Sequence, residues 1–172
     1  MKKISLPLNH DDVSALKAGD GVLLSGIILT ARDCAHKRIS ELIKSGKELP
    51  FLLKGSVIYY AGPCPAKPGK ISGSVGPTTS SRMDSFAPAL LDAGLGAIIG
   101  KGEMSEEVRK AVIRNSAVYF AAIGGAGALY GNSVIKSECI AFPDLLSEAV
   151  YRLEVKDFPA VVAYDCFGGN IY

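Results

Sequence analysis

Apolar residues recur in this chain as short blocks between glycine- and proline-rich turns, and the period of the pattern changes part-way along. Lys3–Leu6 alternates polar and apolar positions, and Pro7 directly behind it suits an edge strand. Gly21–Leu29 is rich in β-formers and ends at Thr30-Ala31-Arg32-Asp33. Ile39, Leu42 and Ile43 then share one face, which predicts a helix over Cys34–Ser45, capped by Asp33 and stopped at Gly46. Ser56–Ala61 reads as a strand, and Gly62–Gly69 as a loop too rich in proline to be regular. From Gly73 short helices and strands alternate: a helix over Ser80–Asp92, a buried strand Ala97–Ile99, and a helix Ser105–Asn115 with acids in its first turn. Next come a strand Ala117–Ile123, a short helix Ala126–Ser133, a strand Glu138–Phe142 and a helix starting at Pro143-Asp144. Val150–Val155 and Ala160–Tyr164 are expected to pair around Lys156–Pro159. Strands first and alternating units after them predict a single α/β domain over residues 1–172, a mixed sheet with helices packed on it.

Composition narrows the function more than it defines it. With 172 residues and 48% hydrophobic content, the chain can bury a core without disulfides or a metal staple. Its 19 basic and 17 acidic residues are scattered, with no basic stripe of the kind nucleic acid requires. The longest apolar stretch, Val22–Ala31, is interrupted by Ser25 and Gly26 and falls far short of the ~20 residues that span a bilayer. No signal-peptide pattern opens the chain, so a cytoplasmic location without membrane contact is expected. Cys34, Cys64, Cys139 and Cys166 are far apart, with no C-x-x-C pair, and predict reduced thiols and no metal bound by this chain.

Four stretches carry candidate chemistry. Gly124-Gly125-Ala126-Gly127-Ala128-Leu129-Tyr130 nearly matches a dinucleotide fingerprint, but Tyr130 stands at the third glycine position and no strand-end acid follows at the required distance. Close packing at a strand–helix turn is the better account. In Gly76-Pro77-Thr78-Thr79-Ser80-Ser81-Arg82-Met83-Asp84, four hydroxyl residues lead into a helix start, where backbone N–H groups attract anions. Thr78 and Arg82 stand four apart and share a face if the helix already includes Thr78; the bland alternative is a hydroxyl cap and a solvated arginine. Thr30-Ala31-Arg32-Asp33-Cys34-Ala35-His36 puts Arg32 at a strand end and His36 in a first helical turn, where the dipole disfavours its charged form. Lys101 stands between two glycines behind an apolar strand. Two arginines, one lysine and a hydroxyl suit a small dianion. A threonine hydroxyl needs an activator before it can act as a base, so the inventory is half a site.

These residues also carry a family resemblance. The runs Gly19–Arg38, Tyr59–Gly69, Gly76–Asp84, Ile98–Met104 and Asp157–Tyr172 resemble the β subunit of two-subunit class I fumarate hydratases and, equally, that of L(+)-tartrate dehydratase. The same segment resembles the C-terminal part of single-chain class I fumarases. The resemblance implies a swivelling β/β/α domain that completes an active site with a larger α subunit, as a hetero-oligomer. It implies that the α subunit carries a 4Fe-4S cluster whose open iron acts as a Lewis acid on a dicarboxylate substrate. Substrate contacts carry over to Arg32, Arg82 and Lys101, and the catalytic base to Thr78; Thr79, Asp33 and His36 are secondary candidates. Fumarate hydration to malate is the expected reaction. Tartrate dehydration and a non-catalytic phosphate- or nucleotide-binding module are the alternatives.

Overall fold

The alternating segment at the start forms β1 (Lys2–Ser5), which lies at the sheet edge as Pro7 demands. A helix too short to leave a periodic signature follows, α1 (His10–Ala15). Its start is a reciprocal cap: the Asp12 amide donates to the Asn9 side chain at 2.8 Å, and the Asn9 amide donates to the Asp12 carboxylate at 3.2 Å. The computed structural model describes residues 1–172. The remaining elements are β2 (Gly21–Thr30), α2 (Asp33–Lys44), β3 (Val57–Tyr59), α3 (Ala87–Asp92), β4 (Ala97–Gly100), α4 (Glu106–Arg114), β5 (Val118–Ala121), α5 (Gly127–Ser133), β6 (Val134–Ala141) and β7 (Val150–Tyr164). Short 3-10 segments cover Ser80–Met83 and Pro143–Glu148.

Several expectations need correction. The strand expected over Glu138–Phe142 starts earlier, at Val134, and the helix expected from Pro143 is only a 3-10 segment. The helix over Ser80–Asp92 is two pieces, because Pro88 has no N–H for the carbonyl four residues back; it is accommodated in the first turn of α3 instead. Arg32, not Asp33, occupies the cap position of α2, and the Asp33 carboxylate is engaged elsewhere. The two C-terminal strands are one, β7. Lys156 and Asp157 form a bulge opposite Ser25, with Asp157 at φ +51° and its amide donating to Ser25 Oγ at 3.0 Å.

The sheet order is β1-β2-β3-β4-β5-β7-β6, and β7 also pairs with β2. Leu153 faces Ile28 of β2 on one edge and Ser137 of β6 on the other, while Val161 faces Gly21 of β2 and Ala121 of β5. Strands β2, β3, β4, β5 and β7 therefore close into a ring. Alternate side chains fill it, among them Val22, Leu24, Val57, Tyr59, Ile99, Phe120, Phe158 and Val162. The opposite set, including Ile58, Tyr60, Ile98 and Tyr119, packs under α2, α3 and α4. No helix is long and apolar enough to cross a membrane. At the glycine-rich turn, a Cβ on Gly127 would lie 2.3 Å from Ser74 Oγ, so close packing accounts for that motif.

Candidate active site

β2, β3, β4 and β5 run parallel, so their carboxyl ends meet at one edge of the ring, the position where open α/β sheets place their ligands. The register makes this specific. Thr30, Tyr59, Ile99 and Phe120 form one row across the four strands, and Arg32 and Lys101 each stand two residues beyond it. Pro77–Thr79 is laid across this edge: Pro77 pairs with Ala61, the Thr78 amide donates to the Tyr60 carbonyl at 2.8 Å, and Thr79 pairs with Lys101. Thr78 thus lies outside any helix, contrary to the helical spacing that would align it with Arg82. The 3-10 turn Ser80–Met83 brings the two together all the same.

Asp33 is the hub. Arg82 donates to it through Nε at 2.9 Å and pairs through Nη2 at 2.6 Å, while Arg32 Nε reaches it at 3.2 Å. Arg32 Nε also pairs with Glu148 at 3.0 Å, and Arg82 Nη1 donates to Thr78 Oγ1 at 3.1 Å. Burial would raise the Asp33 carboxyl, but hydrogen bonds from Arg82, its own amide and Arg32 outweigh that and hold it below the ordinary carboxylate range. Arg82's bidentate fork is thus spent on Asp33 and its Nη1 on Thr78, on a side chain that is still 47% exposed. Arg32 keeps both terminal nitrogens.

Lys101 is held differently. Its stem runs over Gly124, where an added Cβ would lie 3.0 Å from Lys101 Cδ, and it belongs to none of the seven ion pairs of the chain. With Arg32 and Arg82 balanced by Asp33 and Glu148, Lys101 supplies the site's uncompensated positive charge.

His36, in the first turn of α2, is fully buried and edge-on to Tyr60 with ring centroids 4.9 Å apart, and its Nδ1 lies 3.2 Å from the Arg32 carbonyl. Burial lowers its pKa to about 4, so at neutral pH Nδ1 carries the proton and donates to that carbonyl. This makes it a prop for Arg32 and leaves it out of contact with the site. Thr79 is exposed and contributes its backbone to the Lys101 pairing. Sequence reasoning missed Glu148, which reaches Arg32 from the far end of a 3-10 segment and has no local signal. It also missed Ser80 and Tyr119, which lie beneath Lys101. The Cys34 thiol is pushed up, first by its hydrogen bond to Glu148 and then by burial and nearby negative charge.

A family model described as "Fumarase C-terminus" matches residues 1–172. The chain belongs to this fumarase C-terminal family. It is 44% identical over 171 residues to a putative L(+)-tartrate dehydratase subunit beta of Methanocaldococcus jannaschii, covering 96% of this chain and 88% of that protein. It is 40% identical over 174 residues to the anaerobic class I fumarate hydratase of Escherichia coli K12, covering 100% of this chain and 31% of that one. Fumarate hydratase 2 of Leishmania major is 41% identical over 165 residues, covering 95% of this chain and 29% of its own length. The chain therefore spans about a third of the fumarate hydratases it matches and nearly all of the β subunit.

The iron–sulfur cluster that the family implies does not fit this chain's own residues. Its four cysteines are free and ungrouped, and no three His, Cys, Asp or Glu side chains gather where a metal could sit.

Proposed function

We propose that this fumarase C-terminal domain is the dicarboxylate-gripping, proton-handling half of a hydro-lyase that reversibly adds water to fumarate, giving malate. A partner α subunit supplies the 4Fe-4S cluster and the remaining walls of the site. The observation that carries the reading is the Asp33 hub: one carboxylate aligns Arg32 and Arg82, and Arg82 in turn holds Thr78. The guanidinium ends and the Lys101 ammonium meet the two substrate carboxylates and stabilise the aci-carboxylate charge that builds as the C3 proton leaves. Because Thr78 Oγ1 accepts from Arg82, its own proton is free to move. In hydration it passes to C3, and the oxygen left behind, resting on the guanidinium, takes up the proton that the attacking water gives up. In dehydration the same transfers run in reverse, the hydroxyl proton leaving with the departing water as the oxygen takes the C3 proton.

The openness of the site supports a partner. Ile123 is 69% exposed beside the Gly124 turn that carries the Lys101 stem, and Leu146 is 75% exposed beside the Glu148 segment that meets Arg32. Apolar side chains left in water around a charged site suit burial by a second subunit. Four free thiols suit the reducing cytoplasm.

A second substrate, L(+)-tartrate, is favoured by the 88% coverage of the tartrate dehydratase β subunit. The two substrates differ by one hydroxyl, which the partner's wall would read. Anaerobic co-isolation from the source cells should yield a brown complex that dehydrates malate, tartrate or both when assayed side by side. A colourless chain without a partner, or a complex inert toward both acids, would refute the proposal.

A further inference from the structure

The turn carrying Lys101 is fastened from beneath by buried hydroxyls. The Lys101 amide donates to Ser80 Oγ at 2.8 Å, Ser80 Oγ lies 2.9 Å from Tyr119 OH, and Tyr119 OH donates to the Gly102 carbonyl at 2.6 Å. Tyr119 has a single proton, and the Gly102 carbonyl can only accept. The Ser80 proton therefore goes to Tyr119, and Ser80 keeps a lone pair for the Lys101 amide. The chain of bonds runs one way, from the amide ahead of the lysine to the carbonyl behind it, with every member satisfied. The Ser80 amide returns a bond to the Lys101 carbonyl at 2.9 Å. Both Ser80 and Tyr119 are fully buried, out of reach of any substrate.

Gly100 makes the arrangement possible, since a Cβ there would lie 1.9 Å from Ser80 Oγ. Further along, the Met104 amide donates to Tyr164 OH at 2.8 Å and the Ser105 amide to Asp84 at 3.1 Å, so the loop behind Lys101 is also pinned at Met104 and Ser105. Ser80 sits between Thr78 and Arg82 in sequence, so the same hydroxyl sets the distance between the lysine and the threonine–arginine pair.

We infer that Ser80 and Tyr119 are positioning residues for the reaction, acting through the backbone of Lys101 to hold its ammonium where the substrate carboxylate docks. This rests on the reading of Lys101 as a substrate grip. Tyr119→Phe keeps the ring and removes the relay's terminal hydroxyl. In the assembled complex it should lower kcat/KM for the dicarboxylate about tenfold, the scale of one displaced hydrogen bond. In a Lys101→Ala background it should have almost no further effect. Should residual activity there be too low to compare, the acylation rate of the Lys101 amine, read by mass spectrometry against the exposed Lys17, should change several-fold in Tyr119→Phe. Ser80→Ala should behave the same way, giving a second variant if one assembles poorly. An equal loss in both backgrounds, or an unchanged acylation rate, would overturn the inference. Unchanged turnover in Lys101→Ala alone would instead refute Lys101 as a grip, and the positioning role with it.

Discussion

The two cationic regions of the site are built on opposite principles. Arg32 and Arg82 are held by charge: Asp33 and Glu148 neutralise them, in a cluster where Arg82 is 47% and Asp33 30% exposed. Lys101 is held by neutral hydroxyls on its backbone, deep in the core, and its ammonium has no counter-ion. Paired guanidiniums supply direction, because a fork fixed by a carboxylate presents its remaining N–H groups at set angles. An unpaired ammonium supplies net attraction. Under the proposed function, a dianion entering this edge would meet orientation from one side and charge from the other. Thr78 is bonded to Arg82 and next in sequence to the Thr79 that pairs with Lys101.

Losing the Thr78 hydroxyl should cost most. Thr78→Val removes the hydroxyl while keeping the shape, and kcat of the assembled complex should fall about 100-fold or more, the usual scale for a proton-transfer group. Arg82→Ala removes a charged grip and should lower kcat/KM by about 30-fold or more. Arg82→Lys should be nearly as poor, since an ammonium cannot hold both Asp33 oxygens and Thr78 at once. Steady-state kinetics on malate decides each; a variant matching the parent removes that residue from the site.

Acid sharpens the contrast with a smaller effect. The arginine side rests on a buried imidazole, and the lysine side on hydroxyls that stay protonated. His36 titrates at about 4 when folded, against 6.5 for the free side chain. As pH falls from about 6.5 to about 4 the unfolded chain takes up a proton that the folded chain refuses, so stability drops across that window, by about 3 kcal/mol in full. Urea unfolding of the parent and of His36→Phe at several pH values tests this. The stability gap between them should narrow as the pH falls, whereas a constant gap would mean that His36 takes no part.

Much of the candidate site's placement was legible because its residues stand in short local motifs at strand ends. Apolar blocks marked β2, β3, β4 and β5, and parallel pairing then sends every C-terminal turn to the same edge. What stayed hidden depends on contacts distant in sequence. Period-two alternation reports a face and not a neighbour, so neither the closure of the ring by β7 nor its bulge at Lys156-Asp157 could be read locally. α1 is shorter than a detectable period, and its only trace is the Asn9–Asp12 capping pair. Glu148 meets Arg32 only because a 3-10 segment with Leu146 at φ +53° turns back over the edge. Ser80 and Tyr119 looked like cap and core, and only the fold puts their hydroxyls in series.

The most direct test of the central claim is a crystal structure of the assembled complex with malate or tartrate bound. The account predicts carboxylate oxygens within hydrogen-bond distance of Arg32, Arg82 and Lys101, with the carbon that loses its proton facing Thr78 Oγ1. A ligand seated wholly in the partner subunit, touching none of these four residues, would contradict it.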